Sequence, residues 1–175
     1  MKRSYEYTLT EHLKQNRQMV FLTGPRQVGK TTLCVGLDPG CTYLNWDNQD
    51  DRARIVEGPS RIAEVVGLST LHKDKPTVVF DEIHKYSKWK EFLKGFFDTY
   101  SNRVKIVVTG SSRLDVYKKG GDSLMGRYFL YRLHPFSVRE ILAPKIEEQE
   151  IQTPIAIRKD DLNDLFMYGG FPEPQ

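Results

Sequence analysis

A glycine-rich turn lies between two apolar segments early in the chain, at residues 24–31. Residues 19–22 before the turn favour a buried strand, and residues 32–35 after it favour a helix. Such a turn leaves backbone N–H groups free at the start of a helix, where the helix dipole also favours an anion. The chemistry available to this stretch is therefore the binding of phosphate groups.

The spacing of this turn is that of the phosphate-binding P-loop. In that pattern Gly24 and Gly29 let the backbone curl around phosphates, Lys30 reaches the β- and γ-phosphates, and the Thr31 hydroxyl binds Mg²⁺. The alternative is an ordinary glycine-containing turn with a surface lysine. The predicted nucleotide-binding residues are Gly24, Pro25, Arg26, Gln27, Val28, Gly29, Lys30, Thr31 and Thr32.

Two carboxylates follow a second apolar run, residues 77–80. The run suits a buried parallel strand, whose carboxyl end would present Asp81 and Glu82 where open α/β sheets bind ligands. Asp81 is predicted to hold Mg²⁺ together with Thr31, and Glu82 to orient and polarise the water that attacks the γ-phosphate. The alternative is a pair of acids that cap the next helix.

Thr109 and Arg127 are two further candidate catalytic residues. Thr109 lies at the end of a third apolar run and is predicted to act, with Ser111 behind it, as a sensor of the γ-phosphate or the attacking water. An ordinary strand–turn–helix junction capped by Ser112 would explain the same residues. Arg127 precedes another strand and could bind a phosphate in its own subunit or in a neighbour's, or could make a surface or structural ion pair.

The remaining pattern predicts the elements that position these residues. Strands are expected over 42–46, 77–80, 104–112 and 128–133, in addition to the strand before the P-loop. Helices are expected over 8–17 with Thr10 as N-cap, over 60–67 with Ser60 as N-cap, over 89–100, over 137–142 with Ser137 as N-cap, and over 160–168.

Composition limits the partners. Basic residues number 26 and acidic ones 23, so the net charge of +3 gives no surface-wide field for nucleic acid or a membrane. The lysines at 85, 88, 90 and 94 could form a nucleic-acid patch, although a solvated face is the simpler interpretation. With no apolar run near the ~20 residues of a membrane span and two cysteines in no metal or redox spacing, we expect a cytoplasmic protein.

Taken together, the motifs resemble those of prokaryotic AAA-type ATPases whose ATP-binding half precedes an uncharacterised C-terminal domain. The resemblance implies an α/β P-loop NTPase fold, a three-layer sandwich with helices on both faces of a mainly parallel five-stranded sheet of order 5-1-4-3-2. It also implies ATP rather than GTP, and a downstream domain that is sometimes winged-helix or nuclease-like. It rests on residues 24–32, 79–85, 108–112, 126–127, 134–142 and 168–173.

The leading hypothesis is an ATPase domain over residues 1–145 that hydrolyses ATP to ADP with Mg²⁺. Residues 146–175 are then a helical extension, because a helix followed by a Gly-Gly-x-Pro turn usually leads into something further. A homo-oligomer and the missing domain are the expected partners. One alternative is a nucleotide-gated interaction switch with slow or partner-dependent hydrolysis, and another is nucleic-acid processing.

Overall fold

The computed structural model describes residues 3–70, 73–110, 124–142 and 156–172. Its centre is a five-stranded sheet in which every pairing is parallel. Parallel strands are buried on both faces, which is why the runs read as nearly continuous apolar segments in the sequence. The strands are β1 Met19–Thr23, β2 Thr42–Asn45, β3 Thr77–Asp81, β4 Lys105–Gly110 and β5 Tyr128–Arg132.

The strand order is β2-β3-β4-β1-β5, which is the predicted 5-1-4-3-2 counted from the other edge. β4 therefore lies between the P-loop strand and the strand that ends in Asp81, as the resemblance implied. The registers pair Asp81 with Thr109 and Thr23 with Gly110, so the three central strands end at the same edge of the sheet. The α/β P-loop fold class is confirmed.

Helices cover both faces of the sheet. The helices within the described residues are α1 Tyr5–Gln15, α2 Lys30–Leu37, α3 Gln49–Glu57, α4 Pro59–Val65, α5 Trp89–Tyr100, α6 Val138–Leu142 and α7 Lys159–Tyr168. Alternate residues of β1 belong to two separate apolar clusters. Met19 and Phe21 pack with α3, α4 and α5, whereas Val20 and Leu22 pack with α1 and α2. Successive side chains of β1 therefore point to opposite faces of the sheet. The sheet and the helices on its two faces form the three layers.

Two predicted helix starts are wrong. The first helix begins at Tyr5 rather than near residue 8, so Thr10 lies inside it, where its hydroxyl donates to the Glu6 carbonyl (2.7 Å) instead of capping. α4 begins at Pro59 after Gly58, so Ser60 is already helical. Ser137 does cap α6, because its Oγ accepts from the Glu140 N–H at 3.3 Å. No helix within the described residues is long and apolar enough to cross a bilayer.

Candidate functional site

The P-loop joins β1 to α2 at the carboxyl edge of the sheet. Gly24 begins it with φ +157°, and a Cβ built there would lie 2.3 Å from the Leu133 carbonyl oxygen, so only glycine fits under the end of β5. Gly29 precedes α2 with φ +88°, and Gln27 also has a positive φ of 62°. Val28 is fully buried in the apolar cluster and fixes the loop to the core. The close approach of Gly24 to Leu133 and the burial of Val28 therefore fix the backbone conformation of the P-loop.

Lys30 lies beneath the loop, with 8% of its surface exposed. Its Nζ donates to the carbonyls of Gly24 (3.1 Å) and Pro25 (2.6 Å). Burial lowers the pKa of Lys30 below its ordinary value, whereas the nearby Glu82 and Asp81 carboxylates oppose that change. An ammonium group held by neutral carbonyls and facing two acids is well placed to exchange these contacts for phosphate oxygens.

Asp81 is the point at which three elements meet. Its Oδ2 accepts from the Thr31 hydroxyl at 3.0 Å and from the Tyr43 hydroxyl at 2.5 Å, and its Oδ1 accepts from the Thr109 hydroxyl. Asp81 is 7% exposed and Thr109 is fully buried. The carboxylate is thus held from α2, β2 and β4 at once, and the Thr31 and Asp81 oxygens lie side by side.

These oxygens fit the ligands that Mg²⁺ prefers. Magnesium binds hard oxygen donors and usually takes one or two protein ligands, with substrate phosphates and water completing its shell. The Thr31 hydroxyl and the Asp81 carboxylate supply such a pair, 3.0 Å apart. The donor set therefore suits magnesium carried in with a nucleotide.

Glu82 follows β3 in an unusual backbone conformation, with φ +55°. Its carboxylate Oε2 lies 3.4 Å from Lys85 Nζ and 3.7 Å from His84 Nε2, and Lys85 also pairs with Asp47 at 2.5 Å. Burial lowers the pKa of His84, although the Glu82 carboxylate opposes that change. In the described part of the chain Glu82 makes no side-chain capping bond to the short 3-10 turn Ile83–Lys85, which disfavours the capping interpretation.

A cavity of about 360 Å³ joins these groups. It brings together most of the predicted loop residues and both carboxylates. Its described lining residues are Arg26, Gln27, Gly29, Lys30, Thr31, Thr32, Asp81, Glu82 and Pro172. A second cavity, of about 620 Å³, lies between α6 and α7, but its described lining is largely apolar with two aspartates and no basic group, so it is unsuited to phosphate.

Arg127 is not brought to this site. Arg127 precedes Tyr128, which pairs with Met19 at the start of β1, so it lies near the amino ends of the strands. The P-loop follows the carboxyl end of β1, roughly 13 Å or more away at 3.3 Å per residue. The Arg127 guanidinium makes a two-pronged ion pair with Asp98 of α5, at 2.7 and 3.0 Å. Within one chain these contacts are those of the structural-pairing alternative, and they direct the guanidinium to α5 rather than to the P-loop.

Comparison with known proteins adds to this geometry. Residues 16–142 match the family model described as AAA domain, which is well over half of the chain. The chain belongs to the AAA domain family. It is accordingly a nucleotide-binding domain of the ATPase type, as the motifs had suggested.

Curated relatives of this AAA domain are longer proteins. The uncharacterized protein Rv2008c of Mycobacterium tuberculosis is 30% identical over 126 residues, covering 70% of the chain and 26% of the relative. The uncharacterized protein MJ1544 of Methanocaldococcus jannaschii is 27% identical over 134 residues, covering 75% and 29%. The chain therefore spans between a quarter and a third of the length of these relatives.

Solved structures share the fold of this AAA domain. A STAND signal-transduction ATPase with a tetratricopeptide repeat sensor from Pyrococcus horikoshii is 13% identical, with TM-score 0.58 over 98% of this chain and 28% of that one. The ORC1 protein of Aeropyrum pernix, solved with DNA, is 21% identical, with TM-score 0.51 over 81% and 48%. PCH-2 of C. elegans is 18% identical, with TM-score 0.50 over 77% and 42%.

Three residues of the AAA domain site were missed by sequence reasoning. Tyr43 donates to Asp81, His84 lies beside Glu82, and Pro172 lines the cavity from the far end of the chain. Tyr43 alternates along a predicted strand, and His84 and Pro172 fall in two of the segments that carry the resemblance, 79–85 and 168–173. None of the three has a role predicted from the sequence, and only the fold brings Pro172 near the P-loop. Ser111 and Ser112 lie outside the described residues, as do residues 146–155 and 173–175 of the 146–175 extension.

Proposed function

We propose that this AAA domain binds ATP with Mg²⁺ in the P-loop cavity and hydrolyses it to ADP and phosphate. The observation that carries the proposal is the meeting of Lys30, Thr31, Asp81 and Glu82 around one cavity. Neither the cavity between α6 and α7 nor the one beside residues 13–18 combines a basic group, a hydroxyl and two carboxylates in its described lining. The membership of the AAA domain family supports the same function.

Each residue has a distinct task in this proposal. Lys30 exchanges its carbonyl partners for phosphate oxygens and offsets their charge. Thr31 and Asp81 would hold Mg²⁺, which when bound neutralises charge on the β- and γ-phosphates. Thr109 positions the Asp81 carboxylate from β4 and so acts through it, rather than as the direct phosphate sensor that the sequence suggested.

Glu82 is proposed to act on water. Its carboxylate accepts a proton from a water molecule whose oxygen forms a bond to the γ-phosphorus, while the bond from that phosphorus to the bridging oxygen breaks. The products are ADP and inorganic phosphate. The carboxylate lines the same cavity and is held by its contacts with His84 and Lys85.

Phosphate release by the purified chain in ATP and Mg²⁺ tests this proposal. Glu82→Gln keeps the size of the side chain but removes the base, so turnover should fall by about 10²–10⁴-fold. Glu64→Gln is the matched control, since Glu64 is an exposed residue of α4 that pairs with Arg61. Unchanged turnover in Glu82→Gln would refute the role of the carboxylate.

A second candidate, a switch that hydrolyses ATP slowly until a partner acts, is favoured by the tether on Glu82. Lys85 bridges Glu82 and Asp47, which restrains the carboxylate. If the restraint limits hydrolysis, Lys85→Met should speed phosphate release by up to about fivefold, the range of an exposed ion pair. An equal or lower rate would remove the support for this candidate. A homo-oligomer, a downstream domain or nucleic acid remain proposed partners for either candidate.

A further inference from the structure

The cavity has a wall that comes from the far end of the described chain. Residues 169–172, here called the strap, leave the end of α7 and pass over the P-loop. Pro172 lines the cavity beside Lys30 and Thr31, and a Cβ built on Gly29 would lie 3.9 Å from its Cγ. An apolar ring therefore faces the loop that is proposed to hold phosphates.

The strap is held in place through its backbone. The Phe136 N–H donates to the Gly170 carbonyl at 2.5 Å. A Cβ built on Gly170 would lie 2.5 Å from the Phe136 carbonyl oxygen and 3.4 Å from its carbonyl carbon. Backbone atoms cannot move away as the end of a flexible side chain can, so this close approach requires glycine.

The anchor of the strap is itself fixed to the chain's N-terminal segment. The Arg3 guanidinium stacks over the Phe136 ring, 4.2 Å from its centroid, and pairs with Glu140 at 3.2 Å. Glu140 is 3% exposed and also accepts from the N–H groups of Ser4 and Ser137, each at 2.8 Å. Phe136 thus lies against residues that an ion pair and hydrogen bonds join to α6.

Helix α7 is largely exposed. None of its residues is buried, and Phe166, Met167 and Tyr168 are 82%, 77% and 68% exposed. Its C-terminal end leads directly into the strap through Gly169, whose N–H donates to the Leu165 carbonyl at 2.9 Å. Among the described residues, the strap therefore connects the end of α7 to Phe136 and to the cavity.

We infer that the strap is a nucleotide-contacting wall of the ATP site, so that a bound nucleotide and the docked position of α7 stabilise each other. The inference rests on the proposed function, because it assumes that the cavity takes a nucleotide. Pro172 covers the ligand, and Gly170 and Phe136 hold the cover in place. Coupling of this kind is reciprocal: whatever factor the closed strap adds to nucleotide affinity, the nucleotide adds to strap closure.

The test measures binding of ATP with Mg²⁺ and of a fluorescent ATP analogue to the whole chain. Gly170→Ala should push the strap off Phe136 and weaken binding by at least about tenfold. Pro172→Ala, which leaves the backbone contact intact, should weaken it about fourfold, the change expected for one lost methylene contact. Gly95→Ala is the control, because a Cβ there would lie 3.8 Å from the nearest atom, Pro59 Cγ, in ordinary contact far from the cavity.

Hydrogen exchange supplies the second readout. Saturating ATP should slow exchange of the α7 amides in the wild-type chain and in Gly95→Ala, but not in Gly170→Ala. If the wild-type chain binds ATP while both strap variants bind it equally well and α7 exchange is unchanged by ATP, the inference is overturned and the proposed function stands. If the wild-type chain does not bind ATP at all, both fail together. Should Gly170→Ala not fold, Pro172→Ala still decides between these outcomes.

Discussion

At the scale of single residues, the site is built around one carboxylate that receives three hydroxyls. Asp81 is approached by Thr31, Tyr43 and Thr109 from three different elements. Hydrogen bonds to a charged group are stronger than those between neutral groups, and a buried charge left without partners is costly. The arrangement therefore stabilises the fold as well as preparing the proposed metal ligands.

Removal of the Thr109 hydroxyl should reveal this double role. Thr109→Val keeps the shape of the fully buried side chain but takes a donor from Asp81, so we expect a loss of about 1.5–3 kcal/mol in the free energy of unfolding. Urea denaturation measures it. Thr109→Ser keeps the hydroxyl and is the control: a loss in Thr109→Ser as large as in Thr109→Val would mean that packing, not the hydrogen bond, dominates.

Glu82 combines a proposed chemical role with a strained backbone. A non-glycine residue at φ +55° costs on the order of 1 kcal/mol, and asparagine tolerates that region better than most residues. Glu82→Asn should therefore be more stable than Glu82→Gln by up to about 1 kcal/mol, although both lose turnover. Paired urea denaturation curves check this difference. If Glu82→Asn were the less stable of the two, strain would not be stored at this position.

At the scale of elements, the N-terminal segment and α6 are joined by a buried ion pair. Burial lowers the pKa of Arg3 below its ordinary value, whereas the Glu140 carboxylate opposes that change. Only 7% of the Arg3 side chain and 4% of the Glu140 side chain are exposed. A buried ion pair adds little to the free energy of unfolding compared with apolar residues of similar size. Removing one partner is costly, because it leaves the other charge buried and unpaired.

Glu140→Ala should accordingly destabilise the chain by about 3–5 kcal/mol. The double variant Arg3→Met with Glu140→Leu removes both charges and should recover much of that loss. Thermal or urea unfolding of the single and double variants measures the recovery. An equally unstable double variant would show that the capping bonds of Glu140 to Ser4 and Ser137, not the ion pair, are what matters.

The polarity of the parallel sheet separates Arg127 from the proposed chemistry. Arg127 lies near the amino ends of the strands and pairs with Asp98, whereas the P-loop lies at their carboxyl ends. Arg127→Ala should therefore leave the affinity of the single chain for ATP unchanged within about twofold, less than 0.5 kcal/mol. Titration calorimetry at a concentration where the chain is monomeric makes the comparison. A tenfold loss of affinity there would contradict the placement.

At the scale of the whole molecule, the sequence predicts the central strands better than it predicts the residues that reach the site from distant segments. The apolar runs before the P-loop, Asp81 and Thr109 identify three central strands, because parallel strands are apolar along their whole length. Motifs at the ends of these strands identify Lys30, Thr31, Asp81 and Glu82. The strand order came from the resemblance to AAA-type ATPases, since periodicity carries no information about which strands pair.

What the sequence did not predict depends on contacts between distant segments. Tyr43 reaches Asp81 only because β2 pairs with β3, and Pro172 reaches the P-loop only because Gly170 lies against Phe136. The sequence predicts a helix start at Thr10, but its hydroxyl bonds back to the preceding turn, and a threonine that does so cannot be told from an N-cap by sequence. Such tertiary contacts have no local pattern from which to infer them.

Lys30 is proposed to bind a nucleoside triphosphate in the P-loop cavity. Titration calorimetry of the folded chain with ATP and Mg²⁺ tests it most directly, with Lys30→Ala as the comparison and circular dichroism to show that both chains are folded. We expect a measurable heat of binding for the wild-type chain and an affinity at least about tenfold lower for Lys30→Ala, because one charge-assisted contact is worth about 1.5–3 kcal/mol. No heat with the wild-type chain, or equal affinity in Lys30→Ala, would contradict it.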